Sequence, residues 1–297
     1  MWSLICEVAL DALIDSVKLL PFLFVTYLAM EYLEHKTSDK SNQLVERSGK
    51  FGPLYGSLLG IVPQCGFSAA ATNLYAGRVI TLGTLIAIYL STSDEMLPIL
   101  ISEKVSILLI LKILFVKVVI GMIAGFAIDF IHQKFLRFTH MKDPHHLPDI
   151  HHMCEHEHCH CDEKGIFPSA LKHTVEIFVY ILVISFLLNL VIAYIGEDTL
   201  SSFILNRPVI GELAAGLIGL IPNCAASVVI TQLYLEGLLS AGPMMAGLLV
   251  SAGVGLLVLF KVNDHPRENL KILGLLYAIG VVSGLLIELF GITLQMK

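Results

Sequence analysis

The chain has 297 residues, 56% of them hydrophobic and 15% charged, with a net charge of −6 and a mean hydropathy of +0.78. Soluble domains carry about 25% charged residues, so this composition excludes an ordinary soluble domain. It points to a polytopic membrane protein, whose spans each take roughly 20 apolar residues.

The first apolar segment is expected from about Leu10 to Leu33. Glu7, Asp11, Asp15 and Lys18 interrupt its start and no small-residue cleavage site follows, so it reads as a retained span and not as a cleaved signal. A polar loop with Lys36, Lys40, Arg47 and Lys50 leads to a segment from about Gly52 to Ala76. A third segment runs from about Ile80 to Ile101, and a fourth follows Lys112 and ends near Phe130. The polar stretch His132–Lys172 then divides the chain. The second half repeats the order at about Val175–Ile195, Val209–Leu235, Leu238–Phe260 and Ile272–Leu294. The expected organisation is a first membrane repeat at 1–137, a His/Cys-rich loop at 138–169 and a second membrane repeat at 170–297.

The repeat is visible residue by residue. A shift of 159 pairs Thr72-Asn73-Leu74-Tyr75 with Thr231-Gln232-Leu233-Tyr234, Lys112-Ile113-Leu114 with Lys271-Ile272-Leu273, Gly121 with Gly280, Gly125 with Gly284, and Asp129 with Glu288. A nearly constant offset through four segments, with polar residues matched, signals internal duplication.

The second segment of each half contains the stretch that organises the chain. Gly60-Ile61-Val62-Pro63-Gln64-Cys65-Gly66-Phe67-Ser68 is echoed by Gly219-Leu220-Ile221-Pro222-Asn223-Cys224-Ala225-Ala226-Ser227. Proline breaks a helix, and a break at membrane depth is tolerated only where it is buried in protein or lines a cavity. Two breaks at corresponding positions of two halves point to a transporter's binding site. If each broken segment is a re-entrant hairpin, each half crosses three times and the second half is inverted. Thirteen of the nineteen Lys and Arg then fall on one side, as the positive-inside rule favours. The resulting fold class is an all-α polytopic membrane protein of two inverted repeats. Each repeat has three spanning helices plus a broken-helix hairpin, about ten helices in all.

Ionisable residues inside spans default to function. The sharpest cluster is Ser91-Thr92-Ser93-Asp94-Glu95, followed by Pro98, in an otherwise apolar third segment. Adjacent carboxylates repel unless a cation or proton relieves them. The matching Ser251-Ala252-Gly253-Val254 carries no acid, so the site is expected to be asymmetric. The expected substrate pathway is Gln64, Cys65, Ser68, Ser91, Ser93, Asp94, Glu95, Asn223, Cys224 and Ser227. Proton-coupling candidates are Asp94 and Glu95 together with the matched acids Asp129 and Glu288, which also read as solvated segment ends. Cys6 is expected as a small core residue. Oxygen and carboxamide ligands suit Mn²⁺, whereas the thiols of Cys65 and Cys224 suit softer metals or a trivalent metalloid. In the central loop His145, His146, His151, His152, Cys154, His156, His158, Cys159, His160 and Cys161 form an accessory, flexible metal-collecting tract. No P-loop is present.

The Pro63-Gln64-Cys65-Gly66-Phe67-Ser68 and Pro222-Asn223-Cys224 breaks, the Ser91–Pro98 cluster and the His-rich loop together resemble a bacterial family of ten-helix heavy-metal exporters. That family is also described as manganese transporters or arsenic-efflux-type permeases. The resemblance covers nearly the whole chain. It implies a heavy-metal exporter of the bacterial cytoplasmic membrane; the residues themselves lead to the expectation of a secondary transporter that exports a divalent metal, Mn²⁺ favoured from its oxygen and carboxamide ligands, by proton antiport through Asp94 and Glu95. A permease for trivalent arsenic or an organoarsenical using Cys65 and Cys224 is the alternative, and a membrane metal sensor a second one. No enzymatic activity, cofactor or nucleic acid is expected. The partners are the metal cation, protons and the bilayer, and a homo-oligomer is compatible with the sequence. The loop is expected in the cytoplasm and both termini outside.

Overall fold

A computed structural model of the chain describes residues 51–62, 65–93, 95–139, 166–195, 209–263 and 265–291, with scattered positions between 6 and 28. Gln64, Asp94 and the His/Cys tract from His145 to Cys161 lie outside the described residues, as does the side chain of Cys65. The described secondary structure is helical. Helix α1 is described at positions between 6 and 28. It is followed by α2 (Gly52–Leu59), α3 (Cys65–Ala76), α4 (Leu82–Ser91), α5 (Met96–Ser102) and α6 (Ile107–Thr139). The second half holds α7 (Ile166–Ile195), α8 (Ile210–Gly219), α9 (Cys224–Leu235), α10 (Ala241–Val250), α11 (Gly255–Val262) and α12 (Pro266–Leu289).

Among the described residues, five stretches are long and apolar enough to cross a bilayer: Leu82–Ser102, Ile107–His132, Ala170–Leu187, Ala241–Val262 and Pro266–Leu289. Helices α4 and α10 form the centre. Every residue from Gly83 to Ser91, and from Gly242 to Val250, is buried. The outer faces of the longer helices instead expose Phe115, Phe130, Val183, Val282 and Leu289, the surface a hydrocarbon solvent requires. Cys6, expected in the core, is exposed.

The arms α2 and α3 have 8 and 12 residues, about 12 and 18 Å at 1.5 Å per residue, too short to span. Close approaches fix their direction. Gly52 lies against Thr84, Gly56 against Ile88 and Gly60 against Ser91, so α2 runs parallel to α4. The chain reaches α4 through a tight turn, in which Val79 and Ile80 N–H both donate to Leu74 O. Helix α3 must therefore run back, and α2–α3 is a hairpin with its tip between Gly60 and Cys65. The same turn follows α9, where Leu238 and Leu239 N–H donate to Leu233 O. Both turns need a left-handed residue, which is Gly237 (φ 75°) in one and Arg78 (φ 59°) in the other.

The third segment differs from expectation, because it is itself broken. Helix α4 ends at Ser91 and α5 starts at Met96, near the middle of the 82–102 span. Ser91 Oγ donates to Ala87 O (2.8 Å) and Thr92 Oγ1 to Ile88 O (2.7 Å). Hydroxyls competing for backbone acceptors weaken a helix, and Pro98 supplies no N–H to the first turn of α5. The matching break in the second half lies between Val250 and Gly255, where Gly253 takes φ 54°. Helix α6 also runs on to Thr139, past the expected end near Phe130.

Helices α4 and α6 pack antiparallel through glycine. A Cβ on Gly121 would lie 2.9 Å from Ala87 O, and one on Gly125 2.6 Å from Gly83 O. The second half repeats this in α10 and α12, where a Cβ on Gly284 would lie 2.6 Å from Gly242 O. Between the halves, α3 packs on α11, α9 on α5, and α4 on α10. Tyr27 of α1 donates to Asn73 Oδ1 of α3 (3.2 Å).

Candidate functional site

The two helix breaks meet at one small gap lined by Thr92, Ser93, Met96, Lys117, Ser227, Leu248 and Ser251. Thr92 and Ser251 are the residues that end α4 and α10, and they correspond under the 159-residue shift. Ser227 lies in the inner arm of the second hairpin. Thr92, Ser93, Ser227 and Ser251 are all buried, at most 5% exposed, so their hydroxyls and the carbonyls around them face protein, not solvent. The carbonyls in the last turn of a helix lack intrahelical partners and carry its negative partial charge. Two such ends converging on one gap make it attractive to a cation. The gap is closed to a water-sized sphere.

Lys117 is the residue that sequence reasoning missed. It is 1% exposed. Its Nζ donates to Thr92 O at the first break and to Leu248 O (2.9 Å) in the last turn of α10. The signal was present in the sequence, since Lys117, Gly121, Gly125 and Asp129 recur every fourth residue and so form one stripe of α6. That stripe faces α4. Asp129 lies at its start, Gly125 against Gly83, Gly121 against Ala87, and Lys117 at its end. In α12 the same stripe reads Leu276, Gly280, Gly284, Glu288. An apolar leucine thus stands where the first half has a buried cation.

The matched acids at the far end of the stripe cap helices. Asp129 accepts from Gly83 N (2.9 Å) and Thr81 Oγ1 (2.8 Å) at the N-terminus of α4. Glu288 accepts from Gly242 N (2.9 Å) and Ser240 Oγ (3.0 Å) at the N-terminus of α10. Unpaired N–H groups at a helix start favour an anion there, so both carboxylates have a structural role as helix caps.

The other expected site residues are distributed around the breaks. Glu95 is half-buried, immediately before Met96 of the gap. Ser91 directs its hydroxyl to Ala87 O and Ile88 O inside its own helix. Asn223 is buried at the N-cap position of α9, and Cys224 follows it, half-buried. Ser68 lies against Gly255, where a Cβ on the glycine would come within 2.8 Å of the serine Cβ. Ser68 therefore sits at the second break and Ser227 at the gap beside the first, so each hairpin's inner arm reaches across to the other half. Among the described residues, no group of three His, Cys, Asp or Glu side chains could hold a metal. The oxygen-rich gap is the remaining candidate.

The mirror image of this gap is filled. The shift places Tyr89 opposite Leu248. The buried Tyr89 hydroxyl lies 2.5 Å from Thr72 Oγ1 and donates to Gly255 O (3.1 Å). Nearby, the base of the first hairpin is tied to the second half. Tyr75 OH donates to Glu268 Oε1, and Arg78 Nη1 lies 3.2 Å from the same oxygen. The counterpart of Tyr75 is Tyr234, whose buried hydroxyl has no hydrogen-bond partner among the described residues. Among the described residues, the cross-tie thus joins the base of the first hairpin to the start of α12 in the first-to-second-half direction only.

Comparison with curated proteins and with solved structures gives no match. With its membrane-length helices, twin hairpins and paired helix breaks, the chain belongs to the family described as "Putative, 10TM heavy-metal exporter", whose profile matches residues 3–195 and 173–297.

Proposed function

We propose that this multi-pass membrane protein exports a divalent transition-metal cation, Mn²⁺ favoured, in exchange for protons. The observation that carries this reading is the buried gap where the C-terminal ends of α4 and α10 meet, lined by the hydroxyl-bearing residues Thr92, Ser93, Ser227 and Ser251, the first three of which donate their hydroxyl protons to local carbonyls and keep oxygen lone pairs to offer. Oxygen ligands suit Mn²⁺ better than they suit thiophilic ions. Glu95, half-buried immediately before Met96 of the gap, brings negative charge to it, and Glu95 and Asp94 are the proposed proton carriers.

Alternating access follows if the two repeats are inverted, because the same gap can then open to either side. Helix direction supports inversion. Helix α11 leads from the second break toward Glu268, which lies beside Arg78 at the base of the first hairpin. Its counterpart α5 continues from α4 away from that base. The Lys/Arg asymmetry supports a cytoplasmic His/Cys loop, which would gather metal at the entrance, with both termini outside. An impermeant thiol reagent applied to intact cells should leave a cysteine engineered at position 147 unlabelled until lysis. Labelling without lysis would reverse the orientation.

Purified protein in proteoliposomes, offered Mn²⁺, Zn²⁺, Co²⁺, Cd²⁺ or arsenite in turn with a pH dye on the opposite side, tests the function. Mn²⁺ movement with proton counterflow is expected, and it should survive Cys65→Ser and Cys224→Ser. Arsenite transport that is lost in those two variants would replace this reading with a metalloid permease.

A further inference from the structure

We propose that the Lys117 ammonium is a tethered cation that occupies the transported ion's own coordination site in the closed state. Ammonium and metal then take the carbonyls of Thr92 and Leu248 in alternation. The proposal rests on the cation-export reading and adds a competitor to it.

A buried lysine is expensive, because an ammonium taken from water loses its hydration. Here the cost is met by a site that already attracts cations. Thr92 O and Leu248 O belong to the ends of two different broken helices, one from each half. Among the described residues, the remaining lining is Ser93, Ser227 and Ser251 with the Met96 thioether. Lysine's flexible stem suits the role, since four methylenes let the charge withdraw without moving the helix. The Gly121–Gly125 contact with α4 pins the Lys117 Cα at the level of the break. When the gap opens, Thr92 and Leu248 separate and one ammonium cannot bridge both. A divalent ion entering the gap meets the freed carbonyls. On its departure the ammonium returns, neutralises the dipole ends and lets the empty carrier close. The second half has Leu276 at this position, buried and apolar, so the device exists once per molecule and the site is not doubled.

The test is equilibrium Mn²⁺ binding to purified, full-length protein in detergent, with wild type and Lys117→Met side by side. An internal competitor that holds a site nine-tenths of the time raises the apparent Kd about tenfold. Removing it should therefore tighten Mn²⁺ binding by at least about tenfold, while turnover in proteoliposomes falls because the ion is no longer displaced. A lysine that only ties helices together would change thermal stability and leave binding unchanged or weaker. Binding that is unchanged or weaker in a folded Lys117→Met protein overturns the proposal. If the methionine variant does not fold, Lys117→Gln takes its place, because it keeps N–H donors for both carbonyls but carries no charge, and the same two outcomes apply. If wild-type protein binds none of the metals offered, the export reading fails and not this one alone. If wild type binds and the lysine variants bind equally, only the tethered cation fails.

Discussion

Glu95→Gln and Asp94→Asn should each abolish metal efflux while the protein still inserts. A divalent ion entering a closed gap gives up most of its hydration, a cost of tens of kcal/mol by ideal solvation arguments. The hydroxyls of Thr92, Ser93, Ser227 and Ser251 and the helix-end carbonyls offer dipoles but no net charge. Lys117 adds a positive charge to the same place, which makes adjacent carboxylates more necessary. Two unit charges 4 Å apart at an effective dielectric of 20 interact by about 4 kcal/mol. Loss of one carboxylate beside a divalent ion then removes several kcal/mol, and each 1.4 kcal/mol is about a factor of ten in rate. Efflux should fall by at least about a thousandfold, below detection in vesicles. Normal Mn²⁺ transport by both variants in proteoliposomes, at equal protein content, would refute the metal–proton mechanism.

Gly125→Leu should cost the folded protein itself. A Cβ at this position would lie 2.6 Å from Gly83 O, 2.8 Å from Pro53 Cβ and 3.0 Å from Ala87 Cβ. The nearest of these is backbone of a central helix, which cannot turn aside as a side-chain end can. Overpacking a tight core typically costs about 1–3 kcal/mol, and here the strain also separates Asp129 from the α4 N-terminus and Lys117 from the break. Gly274→Leu in α12 is the control, because nothing lies within 4 Å of a Cβ there and the residue is exposed. The expected result is aggregation, or a melting point lowered by several degrees, for Gly125→Leu only, read by size-exclusion chromatography and thermal unfolding. A monodisperse Gly125→Leu protein with an unchanged melting point would contradict the packing described here.

The sequence by itself determined the membrane class, the duplication and the place of the hairpins. Length of apolar run is a local signal, and a nearly constant 159-residue offset that repeats a mid-span Pro-amide-Cys triplet is readable along the chain without any packing. It also held the stripe of Lys117, Gly121, Gly125 and Asp129, because spacing in a helix fixes which residues share a face. Spacing does not say what the face meets. That Asp129 caps α4, that the third segment breaks at Thr92, and that Lys117 ends opposite Leu248, 131 positions away, were decided by the packing of α4 between α6 and α10. The asymmetry has the same origin. Tyr89 and Leu248 are equivalent in the repeat, yet the tyrosine fills its side of the centre and bonds Gly255 O. The leucine leaves its carbonyl to a lysine from the other half. The sequence already pointed to asymmetry, because Ser251-Ala252-Gly253-Val254 carries no acid where the first half has Asp94 and Glu95. Packing adds what spacing could not: a bulky hydroxylated ring fills one side of the centre and a buried ammonium bridges the other, both meaningful only across the interface between halves.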